Sequence, residues 1–279
     1  MARSRLRELS LDVLTEDSRV IVVGDIHGDY ESFRGICDLF SPVKDCLIFL
    51  GDYADRGLSG VEVIEGVMDL CEKYPIRVIA LKGNHEAYTE DGRPTFMPCD
   101  LIREVDEKRG GWGNYFRDVL KPFFDTLPLA ALVLNKILFV HGGISRRVTD
   151  INALRFPSQY VENDVLWSDP FEGEGEQANM RGVGVAFGTD VSGEVCRCLG
   201  VERLVRSHQP NKVSDRPCVE HAGRVVTISS TVVYGGKPFV LVLPIKDLGA
   251  AFTHLKKHIK DLTLPQKQLS MNLRKIAFT

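Results

Sequence analysis

Residues 46–57 place two carboxylates and a guanidinium directly after a short apolar segment. Residues 46–50 are almost wholly apolar and are followed by Gly51, which is typical of a buried strand that enters a tight turn. Asp52 could bridge two metal ions there and Arg56 could hold an anion, with Asp55 between them. Because Gly-Asp is also common in solvated turns, this segment alone does not separate the two interpretations.

The same order of an apolar run and a polar cluster recurs on either side of this segment. A predicted strand at 19–23 precedes Gly-Asp-Ile-His-Gly (24–28), and one at 76–81 precedes Gly-Asn-His-Glu (83–86). Predicted helices with one apolar face fill the intervals, so the three strands form a βαβαβ unit. Right-handed crossovers make these strands parallel, and their polar clusters then meet at one edge of a sheet. The residues expected there are Asp25, His27, Asp52, Asn84 and His85.

Later apolar runs predict a second sheet. Residues 130–134 and 137–140 flank Asn135-Lys136 and predict an antiparallel hairpin. We therefore expect an α/β fold in which two sheets, built on βαβαβ units, form a sandwich with flanking helices. The remaining predictions are helices at 100–108, 115–124 and 191–199, a strand at 203–206, an antiparallel pair at 225–229 and 238–243, an excursion over the site at 87–113, and a loop-rich stretch at 145–187.

The two ends of the chain carry no visible catalytic chemistry. Residues 1–18 suit a short amphipathic helix or an extended arm. Apolar residues recur every three or four positions between Leu248 and Leu262, which predicts a basic amphipathic helix over 247–262 that packs on the body. The alternative is that its basic face recruits an acidic partner. We expect a single catalytic domain over residues 1–279, with its core at about 19–244.

Composition narrows the class of protein and its compartment. Hydrophobic residues make up 44% of the 279 residues, which is enough for a substantial core. A net charge of −3 gives no argument for a nucleic-acid or acidic-membrane partner. Seven cysteines without a Cys-x-x-Cys pair favour reduced thiols. With neither a secretion-signal pattern nor a bilayer-length apolar run, we expect a soluble cytoplasmic protein.

Two further histidines extend the polar edge into a set of metal ligands. His141 and His208 each follow an apolar strand and precede small or polar residues. Oxygen and imidazole donors without thiolate suit manganese, iron or zinc, and disfavour a structural zinc site. These histidines count as ligands because they occur together with the polar residues at the other strand ends; a single such histidine is more often a core or surface residue. The other histidines of comparable interest lack this setting and are excluded: His221, His254 and His258. The predicted dinuclear set is Asp25, His27, Asp52, Asn84, His141 and His208.

In this order the motifs resemble the metallophosphoesterase superfamily, and more closely its phosphoprotein phosphatase branch, which includes calcineurin and the catalytic subunits of the major Ser/Thr phosphatases. The likeness covers roughly residues 19–244 and rests on GDIHG (24–28), GDYADRG (51–57), GNHE (83–86) and HGGI (141–144). The stretches LWSDP (166–170), RGVGVAFG (181–188) and RSHQ (206–209) add to it. The resemblance implies a calcineurin-like metallophosphoesterase fold.

The resemblance also implies a role for each residue of the site. One metal ion would have the ligands Asp25, His27 and Asp52, and the other Asp52, Asn84, His141 and His208. The phosphate would be bound by Arg56 and Arg181, and the substrate would also meet Asn84 and Tyr234. His85 would be the general acid, oriented by Asp55.

The physical chemistry agrees with these roles. A phosphate monoester dianion repels an anionic nucleophile, so two metal ions and two arginines would neutralise its oxygens while an activated water attacks in line. His85 would lie beside the leaving oxygen, and Asp55 would fix its tautomer and keep it protonated. The expected cofactor is a pair of divalent ions, manganese first, with iron and zinc as alternatives.

Several positions depart from the family pattern. Lys82 stands where the eukaryotic enzymes have arginine, and Thr-Val-Val-Tyr-Gly-Gly (231–236) replaces their Ala-Pro-Asn-Tyr-Cys-Gly loop, so only Tyr234 is kept. The excursion after Glu86 is also longer. These differences predict an archaeal or bacterial member that works as a lone catalytic domain, and they leave its substrate groove and any regulatory subunit undefined.

Three functions remain in competition. The first is a metal-dependent Ser/Thr protein phosphatase that acts on a phosphorylated protein or peptide. The second is a hydrolase of dinucleoside polyphosphates or small phosphate esters; Glu86 and Gly142 favour the first, because the diadenosine tetraphosphatase branch typically has Asp and Ala at these positions. The third is a phosphate-binding scaffold without turnover, which the complete ligand set argues against.

Overall fold

The computed structural model describes residues 3–9, 14–249 and 252–262. Within these ranges the strands are β1 Leu6–Glu8, β2 Arg19–Val23, β3 Asp45–Phe49, β4 Val78–Ala80, β5 Ala130–Val133, β6 Ile137–Val140, β7 Asp169–Pro170, β8 Glu176–Ala178, β9 Val185–Phe187, β10 Arg203–Arg206, β11 Cys218–Glu220, β12 Val225–Thr227, β13 Phe239–Pro244 and β14 Ile259–Asp261. The α-helices are α1 Tyr30–Leu39, α2 Gly60–Lys73, α3 Leu101–Arg109, α4 Trp112–Tyr115, α5 Lys121–Phe124, α6 Ile151–Arg155, α7 Gln159–Trp167 and α8 Thr189–Leu199. Short 3₁₀ turns lie at Asn84–Glu86, Pro210–Lys212, His221–Gly223, Ile245–Asp247 and Leu255–His258.

The first sheet contains the predicted βαβαβ unit. Its strand order is β14-β13-β2-β3-β4. β2, β3 and β4 are parallel, with Val22 opposite Ile48 and Ile48 opposite Ile79, and α1 and α2 make the two crossovers. Every residue of β3 is buried, as expected for a parallel strand covered on both faces. The carboxyl ends of these three strands therefore lie side by side.

The second sheet has the order β1-β5-β6-β10-β12-β11. β5 and β6 form the predicted antiparallel hairpin, and β10 lies parallel to β6 and to β12. The two sheets pack face to face through buried apolar side chains such as Val22 and Ile48 from one and Phe139 and Val205 from the other. Helices cover both outer faces, so the predicted two-sheet α/β sandwich is confirmed.

The helices that border the site follow the sequence closely. α1 begins after Asp29, whose carboxylate accepts the N–H of Ser32 at 3.1 Å, as N-capping residues do. α3 begins one residue after the predicted start. The helix predicted at 115–124 consists of α4, a π-helical segment at Phe116–Leu120 and α5.

The prediction of a C-terminal amphipathic helix over 247–262 is wrong. The described part contains the 3₁₀ turns Ile245–Asp247 and Leu255–His258, followed by β14, which pairs antiparallel with β13. The open edge of β13 offers backbone hydrogen bonds, and these outweigh the local helical pattern. The apolar residues still pack on the core as expected, and Leu248 and Leu262 are buried.

Two further expectations need correction, and a third is decided between its alternatives. The strands at 225–229 and 238–243 do not pair, because β12 lies beside β10 in the second sheet and β13 beside β2 in the first. Residues 145–187 are not mainly loop, since they contain α6, α7 and a three-stranded sheet in the order β7-β9-β8. Of the two alternatives for the N-terminal segment, the described residues agree with the extended arm, because they contain β1, which pairs with β5; residues 1–2 and 10–13 lie outside the description.

Two observations concern the compartment. Among the described residues, helices are too short or too polar for any of them to traverse a lipid bilayer. The seven cysteines are all described and all carry free thiols. The single-domain organisation over the whole chain stays a prediction.

Candidate active site

Strand ends deliver all six predicted metal ligands to one place. Three of them follow β2 and β3: Asp25, His27 and Asp52. Asn84 follows β4, and His141 and His208 follow β6 and β10 of the other sheet. Each of the six is at most 4% exposed. The site thus lies where the carboxyl ends of parallel strands from both sheets meet.

The loops that carry these residues contain unusual backbone. His27, Asp52, Asp55, Arg56 and His208 have φ values of 49°, 57°, 67°, 70° and 71°. Residues other than glycine rarely occupy this left-handed region, and strain of this kind clusters at functional sites because the surrounding contacts enforce it. The strained positions coincide with five of the predicted site residues.

Three acceptor atoms converge around His27. Its Nδ1 lies 2.9 Å from the carbonyl oxygen of Ala54 and donates to it, so the lone pair is on Nε2. That Nε2 lies 3.5 Å from Oδ2 of Asp52 and 3.9 Å from Oδ2 of Asp25. Burial, reinforced by His85, lowers the pKa of His27 to about 4, so the ring is neutral. The neutral ring therefore places the Nε2 lone pair close to two carboxylate oxygens, an arrangement that suits a bound cation.

A second convergence surrounds His141. Its Nδ1 donates to the carbonyl oxygen of Leu50 at 2.9 Å, again leaving the lone pair on Nε2. That atom lies 2.9 Å from Oδ1 of Asn84, 3.0 Å from Nδ1 of His208 and 3.4 Å from Oδ1 of Asp52. Burial lowers the pKa of both histidines well below the ordinary value, so neither supplies a positive charge.

Asp52 faces both convergences, one with each carboxylate oxygen. Its pKa is raised well above the usual range by burial, which means that the charged form lacks compensation from the protein alone. Within the described residues, Oδ2 of Asp25 is a buried carboxylate oxygen without a hydrogen-bond partner. Buried acceptors and charges of this kind are costly unless a cation binds them. The residues therefore fit a pair of divalent cations bridged by Asp52.

Geometry also groups His85 with His27 and Asp52 as candidate ligands. However, His85 Nδ1 lies 2.6 Å from Oδ2 of Asp55. Burial is the largest single influence and lowers the pKa of His85, but the charges of nearby Asp52 and Asp55 and the Asp55 hydrogen bond together outweigh it, and the net shift is upward. A protonated imidazole has no lone pair for a metal, so the arrangement suits a proton donor better than a ligand.

Asp55 is anchored on its other side by a helix. Its Oδ1 accepts the backbone N–H groups of Asp100 and Leu101, at 2.6 Å and 2.8 Å, at the start of α3. Burial raises the pKa of Asp55, but the His85 hydrogen bond and these N–H groups outweigh it, and the pKa is lowered. The start of a helix favours a carboxylate, so Asp55 remains charged beside His85.

The remaining predicted residues line the same cavity. Its volume is about 460 Å³, and Arg56, Arg181 and Tyr234 border it together with the candidate ligands His27, Asp52, Asn84 and His208. Arg56 is exposed at its edge, and the Tyr234 ring lies 5.4 Å from that of His27. The cavity therefore combines candidate ligands with two guanidinium groups that suit an anion.

Two residues behind Arg181 were quoted in motifs without an assigned role. Asp169 accepts from Nε of Arg181 at 2.8 Å, and its other oxygen accepts from the fully buried Arg206 at 2.9 Å. Asp169 thereby holds Arg181 at the cavity and compensates the charge of the buried Arg206. The sequence signal was the pair of motifs at 166–170 and 206–209, whose contact only the fold reveals.

Glu86 and Phe96 also have functions that the sequence did not assign. Glu86 accepts backbone N–H groups from Asp52, Tyr53 and Gly83 at 2.9, 3.0 and 2.8 Å, and so ties the ends of β3 and β4 together. Phe96 lies on the excursion, with its ring 4.3 Å from that of His85. The excursion therefore passes over the site, as expected, but no sequence signal singled out Phe96.

Comparison with known proteins gives the following matches. A model of the calcineurin-like phosphoesterase family matches residues 18–212. The chain is 32% identical over 239 residues to the serine/threonine-protein phosphatase PP1-delta of Caenorhabditis elegans, covering 81% of this chain and 74% of that protein. It is also 32% identical over 267 residues to the PP2A-like phosphatase PPG1 of Saccharomyces cerevisiae, covering 85% and 70%.

A solved structure supports the fold independently. It is a protein serine/threonine phosphatase from S. cerevisiae with similarity to human phosphatase PP5, which has a TM-score of 0.76 at 24% identity and covers 88% of this chain and 78% of its own. The chain spans only 43% and 60% of the length of two other C. elegans relatives. The relatives named here are eukaryotic, so they give no support to the expected archaeal or bacterial origin.

Proposed function

The chain belongs to the calcineurin-like phosphoesterase family, and on this premise we propose that it is a metal-dependent protein phosphatase that hydrolyses phosphoserine and phosphothreonine. The relatives at 32% identity carry the name serine/threonine-protein phosphatase, which supports this choice of substrate. The substrate would be a phosphorylated protein or peptide.

The observation that carries the proposal is the hydrogen bond between His85 and Asp55 at the wall of a cavity that also holds Arg56 and Arg181. A seryl or threonyl alkoxide is a poor leaving group and needs a proton as it departs. His85 is the buried imidazole of this cavity whose pKa is raised, because of Asp52 and Asp55, despite its burial. The raised pKa favours the protonated ring, which is the form that a general acid needs.

The other side chains divide the work of binding the phosphate. Arg56 and Arg181 pair with its equatorial oxygens through planar guanidinium groups, and Asp169 keeps Arg181 in place. Asn84 and Tyr234 border the same space and contact the substrate. Asp55 holds the His85 ring with its Nδ1 proton bound, so the opposite nitrogen is directed away from Asp55 and is available to the leaving oxygen.

The ligand set divides between two metal ions in our proposal. Asp25, His27 and Asp52 would hold one ion, and the other would be held by Asp52, Asn84, His141 and His208. When bound, these ions would polarise the phosphate and lower the pKa of the attacking water. Carboxylate, amide and imidazole donors without sulfur favour manganese, with iron or zinc as alternatives.

One packing detail favours a protein phosphatase over a dinucleoside polyphosphate hydrolase. At Gly142, the position where the latter branch typically carries alanine, an added Cβ would lie 2.5 Å from the backbone carbon of Leu166. The last turn of α7 at Leu166 would have to move to accept it. This chain is therefore built around glycine there, as the protein phosphatase branch is.

The experiment compares substrates in one manganese-loaded preparation. Phosphoseryl and phosphothreonyl peptides should have higher kcat/KM than a phosphotyrosyl peptide or diadenosine tetraphosphate. The variant Arg117→Ala, an exposed residue whose nearest charge partner is its neighbour Asp118, is a matched control for preparation quality. Preferred cleavage of diadenosine tetraphosphate would favour the second function, and absence of turnover with every substrate would favour the scaffold.

The compartment and the working unit also remain proposals. Seven free thiols support a cytoplasmic location. A chain that lacks the typical loop around Tyr234 would act as a lone catalytic domain, and nothing in its described surface specifies a regulatory subunit.

A further inference from the structure

Ser207 is a buried residue that touches the ligand set without belonging to it. It lies between Arg206, at the end of β10, and His208, and it is 0% exposed. Its backbone N–H donates to the carbonyl oxygen of His141 at 2.9 Å. Its hydroxyl contacts Asp25, which comes from the other sheet. One serine therefore contacts residues assigned to both metal ions.

Counting protons fixes the direction of the Ser207 hydrogen bonds. The Asp25 N–H donates to Oγ at 2.8 Å, so Oγ is an acceptor there. The single hydroxyl proton has two acceptors in reach, Oδ1 of Asp25 and the carbonyl oxygen of Ile228 at 2.9 Å. The carboxylate carries charge and makes the shorter contact, so it takes the proton.

These bonds leave the two oxygens of Asp25 in different states. Oδ1 accepts from the Ser207 hydroxyl and from the His208 N–H at 3.1 Å. Oδ2 is buried, has no hydrogen-bond partner among the described residues, and lies 3.9 Å from Nε2 of His27. The carboxylate is thus held so that one oxygen is satisfied by the protein and the other is offered to a cation.

We propose that Ser207 is a positioning residue for the metal ion held by Asp25 and His27, and that it acts by orienting the Asp25 carboxylate. A residue that hydrogen-bonds to a metal ligand commonly changes the metal affinity about 10–100-fold when it is removed. The inference rests on the metal assignment made under the proposed function. Ser207 itself belongs to neither ion's ligand set.

The test is metal binding by the full chain, measured by titration with manganese and by metal content after dialysis. Ser207→Ala should weaken one of the two sites about 10–100-fold and leave the other near the wild-type affinity. Ser230→Ala is the matched control. Ser230 is also 0% exposed, and its hydroxyl binds only backbone, from Gly24 at 3.0 Å and to Phe239 at 2.6 Å.

A double-mutant cycle separates positioning from general disruption. In an Asp25→Asn background the effect of Ser207→Ala on manganese affinity should largely disappear, because the residue through which it acts has already changed. Equal affinities for wild type and Ser207→Ala, or an undiminished effect in the Asp25→Asn background, would overturn the proposal.

A folding defect in Ser207→Ala would still leave the proposal testable. If metal-free Ser207→Ala fails to fold, it is refolded with manganese at about 100 times the concentration that saturates wild type. Recovery of the native state supports positioning, and failure to recover it, with Ser230→Ala behaving as wild type, assigns Ser207 a purely structural role. A wild-type protein that binds no metal at all would reject the proposed function, whereas unchanged binding in Ser207→Ala rejects only this inference.

Discussion

The imidazole of His85 and the carboxylate of Asp55 are joined by a 2.6 Å hydrogen bond, and the other oxygen of Asp55 is held by the first N–H groups of α3. The proton donor, its orienting carboxylate and the start of the helix are thus connected by consecutive hydrogen bonds. The helix lies within the excursion at 87–113, whose Phe96 covers His85. The orientation of the general acid thus depends on a segment outside the βαβαβ unit.

His85→Asn should depress phosphoserine turnover by about 10²–10⁴ and affect p-nitrophenyl phosphate far less. The reason is that p-nitrophenolate departs without a proton, whereas a seryl alkoxide does not. Asp55→Asn should give the same bias more weakly, since it only orients and charges the ring. The two rates are measured at saturating metal with metal content checked, and equal losses on both substrates would remove the general-acid role.

Asp52→Asn should weaken both metal ions, whereas Asp25→Asn should weaken mainly one. Asp52 directs Oδ2 towards His27 at 3.5 Å and Oδ1 towards His141 at 3.4 Å, so it serves both convergences. Metal analysis after dialysis at a series of manganese concentrations distinguishes the variants. Two ions retained at wild-type affinity in Asp52→Asn would exclude it as the bridge.

Arg56→Ala and Arg181→Ala should weaken inhibition by inorganic phosphate while leaving metal content unchanged. Guanidinium groups bind phosphate oxygens and not cations. Arg117→Ala is again the control, because its ion pair with Asp118 lies at the surface. Phosphate inhibition constants are the measurement, and unchanged values in both cavity variants would make these arginines structural.

Chelation of the metal should abolish activity, and manganese should restore it. All six candidate ligands offer oxygen or imidazole nitrogen, and their buried acceptors lack compensation without a cation. The thermal unfolding temperature should fall on chelation and recover with manganese, which gives a readout independent of turnover. Full activity in a sample shown to be free of metal contradicts the mechanism.

Glu86→Gln should destabilise the metal-free protein by about 1–3 kcal/mol. The wild-type carboxylate accepts three backbone N–H groups, and an amide in its place turns a donor towards at least one of them. Glu90→Gln is the control, because that side chain is 91% exposed and its ion pair with Lys121 is a surface contact. Denaturant unfolding measures the difference, and equal stabilities would deny Glu86 its role at the strand ends.

The sequence alone determined the βαβαβ unit and the site at its carboxyl edge. Strand periodicity and helical periodicity are local properties, and in a parallel sheet they fix which residues share an edge. Asp25, Asp52 and Asn84 could therefore be placed together from spacing. His141 and His208 were added because they follow strands in the same way, and the structure brings them within 3.0 Å of each other.

Only the tertiary structure decided which distant elements meet. β13 pairs with β2 instead of with the segment at 225–229, and β14 replaces the predicted C-terminal helix, because an open sheet edge selects its partner through backbone hydrogen bonds that no local pattern encodes. The contact of Ser207 with Asp25 joins residues 182 positions apart, and the contact of Phe96 with His85 requires the excursion to fold back over the site. Such contacts depend on the packing of two sheets and a loop, and packing is a property of the whole fold.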